Sequence, residues 1–132
     1  MGKRLKGGET IELVGDLGSG KTSFVRGLAR GLGSNDQVAS PSFTISRIYK
    51  TPKLELHHYD LYRLADPGVI GYELAESLAD SKAVVAVEWA GEAEGVLPRD
   101  RLSIKFAASG DEERRLNFTA GARHQHLIKD LT

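Results

Sequence analysis

"TIELVGDLGSGKTSFVRGLARGL", from Thr10 to Leu32, decides the fold. The opening "TIELVG" is a short β-rich run that stops at Gly15 and reads as a strand. From Lys21 the pattern changes: Phe24, Val25, Leu28 and Leu32 fall at helical spacing, and Gly31 and Gly33 are natural stops. Between them, Gly15-x-x-x-x-Gly20-Lys21-Thr22 satisfies the Walker A phosphate-loop pattern. Each fixed position has a physical reason. The glycines let the main chain approach phosphates closely. Successive N–H groups then form an anion nest at a helix N-terminus, where the helix dipole favours negative charge. Lys21 reaches the β- and γ-phosphates in such a loop, and the Thr22 hydroxyl ligates Mg2+.

Composition bounds what surrounds this loop. The chain has 132 residues, 40% hydrophobic and 27% charged, which suits one domain, 1–132, with a real core. Eighteen basic and eighteen acidic side chains cancel, so no basic excess advertises direct nucleic-acid binding. Cysteine is absent, which excludes disulfides, thiolate metal sites and cysteine nucleophiles. Apolar runs such as "AVVAV" (83–87) fall far short of the ~20 residues of a membrane helix. "MGKRLKGGE" lacks the apolar centre of a signal peptide, so a cytosolic protein without membrane contact is expected.

Further along, "SNDQVASP" reads as loop, and "SFTISRIY" and "LELHHYD" read as strands joined by the turn "TPK". Asp66-Pro67-Gly68 resembles a helix start, followed by an apolar stripe of Ile70, Leu74 and Leu78. "AVVAVEW" is nearly continuous in apolar character, as central parallel strands are. "RLSIKF" and "RRLNFT" alternate and flank "SGDEE", which predicts a late antiparallel hairpin. "RHQHLIKDL" reads as a short terminal helix. The alternation predicts a three-layer α/β domain of the P-loop NTPase type with a mixed central sheet.

A magnesium–nucleotide site needs a carboxylate at the end of a neighbouring strand. Glu88 closes an apolar strand in the Walker B manner, or it is a surface acid past a strand end. Asp60 ends "LELHHYD" and reads equally as a ligand-facing acid or as a cap for the turn that follows. Trp89 reads as a packing anchor rather than chemistry, and Arg63 as a salt-bridged or solvated cation rather than a phosphate-facing one. His57, His58, His124 and His126 form no i,i+4 metal pair and read as structural or exposed.

Taken together, "GDLGSGKTSFVRGL", "SPSFT" (40–44), "HHYDLYRL" (57–64), "VEW" (87–89) and "VLP" (96–98) resemble the TsaE (YjeE) family of small bacterial P-loop ATPases, over roughly Gly8 to Pro98. The resemblance implies a part in forming threonylcarbamoyladenosine at adenosine 37 of tRNA. It also implies ATP and Mg2+ as cofactors and a TsaD–TsaB complex as partner, with tRNA reached only through that complex. By motif match, Gly15, Asp16, Leu17, Gly18, Ser19, Gly20, Lys21, Thr22 and Ser23 hold the phosphates, with Thr44 near the nucleotide. Thr22 and Glu88 hold Mg2+, Asp60 lies near the γ-phosphate or its attacking water, and Lys21, Asp60 and Glu88 form the catalytic set. Family members carry another ~20 residues ahead of this stretch, forming a strand and a helix. "GKRLKGG" is accordingly expected to be that helix's last turn, capped by Gly7 and Gly8, with adenine binding weakened or altered in this chain.

Two other classes share the loop. A metabolite kinase usually adds an arginine-bearing lid, which no long insertion here offers, and a non-catalytic nucleotide sensor would use ATP only to order a switch. A GTPase is disfavoured, since no Asn-Lys-x-Asp motif occurs in the chain.

Overall fold

The computed structural model describes residues 5–15, 21–34, 46–60, 71–89, 100–108 and 114–128. The run "TIELV" forms strand β1, Thr10–Val14, and helix α1 spans Lys21–Gly31. Strands β2 (Ser46–Lys50) and β3 (Glu55–Asp60) form a hairpin closed at Thr51, whose N–H and hydroxyl both donate to the Leu54 carbonyl. Helix α2 covers Gly71–Ala79, and β4 covers Ala83–Trp89. The expected late hairpin is β5 (Leu102–Ala108) with β6 (Arg114–Ala120).

All six strands share one sheet in the order β2-β3-β4-β1-β5-β6. The inner four are parallel, and the outer pair, β2 and β6, are antiparallel to their neighbours. The sheet is therefore mixed, as expected. Strand β4 lies between β3 and β1, and Val84, Val85, Ala86 and Val87 are all buried. That burial on both faces explains why this strand is apolar without alternation.

The other strands alternate and divide their side chains between two layers. Ile11, Leu13, Leu56, Ile104 and Phe106 join one core cluster with Val25, Leu28 and Ala29 of α1. Phe24 meets Phe106 edge-on, with ring centroids 5.8 Å apart. Helix α2 lies on the opposite face, where Ser77 Oγ is 2.6 Å from the Tyr59 hydroxyl and 2.7 Å from His57 Nδ1. The chain leaves β1 past β4 toward the β2–β3 edge and returns from β3 to β4. Right-handed crossovers in opposite directions put the two helices on opposite faces.

Three expectations are adjusted. In the stripe of α2, Leu74 is buried and Leu78 is only half-buried, while Ser77 is buried because its hydroxyl is bonded on both sides. The C-terminal segment opens as a 3-10 turn over Ala122–His124 before a single α-helical turn, α3 (Gln125–Ile128). Leu5–Gly8 is not a helical turn. The N–H groups of Lys6 and Gly7 donate to the Glu9 carboxylate, both at 2.7 Å, and Gly8 N–H donates to the Ala83 carbonyl. Donors so engaged bring this stretch onto the sheet, with positive φ at both Gly7 and Gly8.

Candidate functional site

Strands β1, β3 and β4 run parallel, so their carboxyl ends emerge along one edge of the sheet. The register fixes what stands there: Asp60 is opposite Glu88, Glu88 is opposite Leu13, and Trp89 is opposite Val14. Adjacent strands are ~4.8 Å apart, so the two acids and the start of the phosphate loop at Gly15 span roughly 10 Å. This is the edge at which ligands bind in open α/β sheets. Lys21 and Thr22 are the first residues of α1, so the loop "DLGSG" connects a strand end to a helix N-terminus, as its motif requires.

Glu88 is 4% exposed and receives a hydrogen bond at its Oε2 from His58 Nε2, at 2.8 Å. His58 is fully buried, and among the described residues its Nδ1 has no partner. Placing the proton on Nε2 gives the pair its hydrogen bond; a proton on Nδ1 would instead set two acceptors face to face at 2.8 Å. The Tyr49 ring lies 6.4 Å from the imidazole, tilted by 32°. Among the described residues, the carboxylate of Glu88 is bonded through Oε2 alone. Its remaining oxygen suits the hard, oxygen-seeking Mg2+ ion, so the donor chemistry fits that metal.

Gly15, Asp60 and Glu88 are thus brought to one edge of the sheet, and Ser23 is exposed on the first turn of α1. Asp16, Leu17, Gly18, Ser19, Gly20, Thr44 and Arg63 lie outside the described residues, as do the side chains of Lys21, Thr22, Asp60 and Trp89. The sequence reads His58 as structural or exposed, and the structure shows it fully buried. The signal that could have found it is alternation: Leu56 and His58 share a face of β3, so a polar ring two residues after a core leucine faces the interior and needs a partner there.

Two other clusters lie at the opposite, amino-terminal end of the strands. Glu55, His57 and Asp80 bring ligand atoms within 4.8 Å of one another, a cluster that a search for i,i+4 histidine pairs could not see. A cavity of about 330 Å³ is lined by Glu9, Thr10, Asp100, His124 and His126, among others. His124 Nε2 accepts from Thr10 N–H at 3.0 Å, so its proton sits on Nδ1 and is donated to Asp100. This cavity is roughly 16 Å along β1 from Gly15, and every titratable group named here already has a partner inside the fold.

Known proteins match this arrangement. The family model described as "Threonylcarbamoyl adenosine biosynthesis protein TsaE" matches residues 1–116. The tRNA threonylcarbamoyladenosine biosynthesis protein TsaE of Bacillus subtilis is 41% identical over 129 residues, covering 96% of this chain and 80% of that protein. The protein of the same name from Haemophilus influenzae is 35% identical over 96 residues, covering 73% of this chain and 61% of its own length. A crystal structure of Bacillus subtilis YdiB superposes with a TM-score of 0.75 at 36% identity, covering 98% of this chain and 80% of that one. Motifs, sheet order and similarity agree, and the chain belongs to the TsaE family.

Proposed function

We propose that this chain is a Mg2+-dependent ATPase that sustains formation of the threonylcarbamoyl group on adenosine 37 of tRNA by acting on a TsaD–TsaB complex. The observation that carries the reading is the register of Asp60 with Glu88 beside the strand that feeds the phosphate loop. It sets two acid positions beside the strand that leads into the Walker A motif, which supports a site for phosphoryl transfer to water. The tRNA role extends to this chain what the names of its relatives state of them.

In this reading the loop amides and Lys21 bind the phosphates and hold the γ-phosphoryl in place. The Thr22 hydroxyl and Glu88 hold Mg2+, which when bound neutralises charge on the β- and γ-oxygens. Asp60 orients the attacking water from the neighbouring strand. Nothing in this set supplies a cation from a lid, and a P-loop subunit without one hydrolyses slowly until a partner completes the site. ATP hydrolysis with Mg2+, measured alone and with a TsaD–TsaB pair, is the test. Slow turnover alone and an increase of about tenfold or more with the pair is expected. Unchanged turnover would overturn the partner assignment, and no hydrolysis in either case would overturn the ATPase.

A further inference from the structure

Resting on the reading of Glu88 as the carboxylate of a magnesium–nucleotide site, we propose that His58 is a positioning residue. It holds Glu88 by one oxygen and so presents the other to the metal. Its bonding pattern carries the argument. His58 is fully buried, and its Nε2 donates to Glu88 Oε2 at 2.8 Å. Among the described residues, its buried Nδ1 has no partner. A buried, unpaired nitrogen opposes folding, and an apolar side chain of similar volume beside Tyr49 would avoid that penalty. What an apolar residue cannot supply is the N–H directed at Glu88.

That N–H matters because of where Glu88 stands. A glutamate has three rotatable bonds and sits here on the penultimate residue of β4, at the sheet edge where the loop begins. Unheld, its carboxylate samples several rotamers, and binding a metal must then order it. The imidazole sits two residues after the core residue Leu56 on the same face of β3, so one hydrogen bond also ties β3 to β4 on their α1 side. Outer groups that orient a metal-binding carboxylate change metal affinity by about 10- to 100-fold when removed.

The test separates this bond from mere packing. Mn2+ replaces Mg2+ as an electron-paramagnetic probe, and its affinity for the protein–ATP complex is measured beside ATP affinity in chelator. His58→Leu is expected to weaken Mn2+ binding about 10- to 100-fold while metal-free ATP affinity changes by less than about twofold. His58→Gln, whose amide nitrogen falls near the Nε2 position, restores Mn2+ affinity. His58→Asn, whose amide falls near Nδ1, does not. If His58→Leu fails to fold, the Gln and Asn variants carry the comparison. Unchanged Mn2+ affinity in His58→Leu, equal behaviour of Gln and Asn, or a matching loss of metal-free ATP binding would each overturn the proposal. A wild-type protein that binds ATP but no Mn2+ would overturn the metal-site reading and this inference with it.

Discussion

Tyr59 shows how much a single buried hydroxyl can report. Burial raises its pKa above the ordinary 10.0, and nearby Glu73 and Glu76 push the same way, while the Ser77 hydrogen bond opposes them. The unfolded chain therefore releases this proton at lower pH than the folded one. The contribution is complete below pH 10 and is lost as pH rises through the folded value. Tyr59→Phe should cost about 1 kcal/mol at neutral pH for its hydrogen bond. In urea unfolding at pH 9 and pH 11, the stability gap between wild type and variant should narrow with pH; a widening gap would refute the assignment. Glu12 is a second case: it is 5% exposed in the middle of β1, where Arg101 Nε (3.2 Å) and Ser103 Oγ (2.7 Å) both donate to its Oε1. Arg101→Ala should destabilise by about 3 kcal/mol, since it leaves a buried carboxylate with one neutral donor. Restoration by the double change Glu12→Gln/Arg101→Ala is the check. Neither role was visible in "HHYD" or "TIEL", because the partners lie on other elements: Ser77 on α2, Ser103 on β5 and Arg101 just ahead of it.

At the scale of elements, the end of α1 follows directly from its residues. Gly33 has φ +86°, its N–H bonds the Arg30 carbonyl, and Ser34 N–H reaches back to Ala29, the pairing of a Schellman cap. Gly33→Ala should cost about 1 kcal/mol and lower the unfolding midpoint by a few degrees, with Gly33→Asn costing less. Gly7 is the harsher site. Its φ is +103°, and an added Cβ would run into the Ser81 backbone carbonyl. Gly7→Ala should therefore cost more than about 2 kcal/mol, and equal melting of the Gly7 and Gly33 variants would contradict this ranking. Gly33 was legible as a helix stop. Gly7 read in the sequence as a helix cap, whereas the turn it makes is set by Glu9 and by Ser81, which lies just ahead of β4.

For the whole molecule, the C-terminal segment closes the amino-terminal end of the sheet. Leu127 is fully buried in the same core cluster as Leu5 and Ile11, and His124 and His126 bond Thr10 and Glu9. Leu127→Ala should destabilise by about 3 kcal/mol. Calorimetry should show one cooperative transition at lower temperature for this variant; an unchanged midpoint would mean that the segment is a passive tail. No helix among the described residues is long and apolar enough to cross a membrane, in line with the short apolar runs of the chain.

Local chemistry was enough for the strand and the helix on either side of the Walker A motif, the buried character of β4 and the late hairpin. Glycine placement, helical spacing and alternation are properties of neighbours in the chain, and they act wherever the segment ends up. The order of the strands and the pairing of Asp60 with Glu88 came only with the tertiary structure. So did the hydrogen bond from His58, because a partner thirty residues away in sequence is chosen by sheet register and core packing. In this protein, the strand and helix beside the Walker A motif are read along the chain, and the partner that Glu88 takes is found across the sheet.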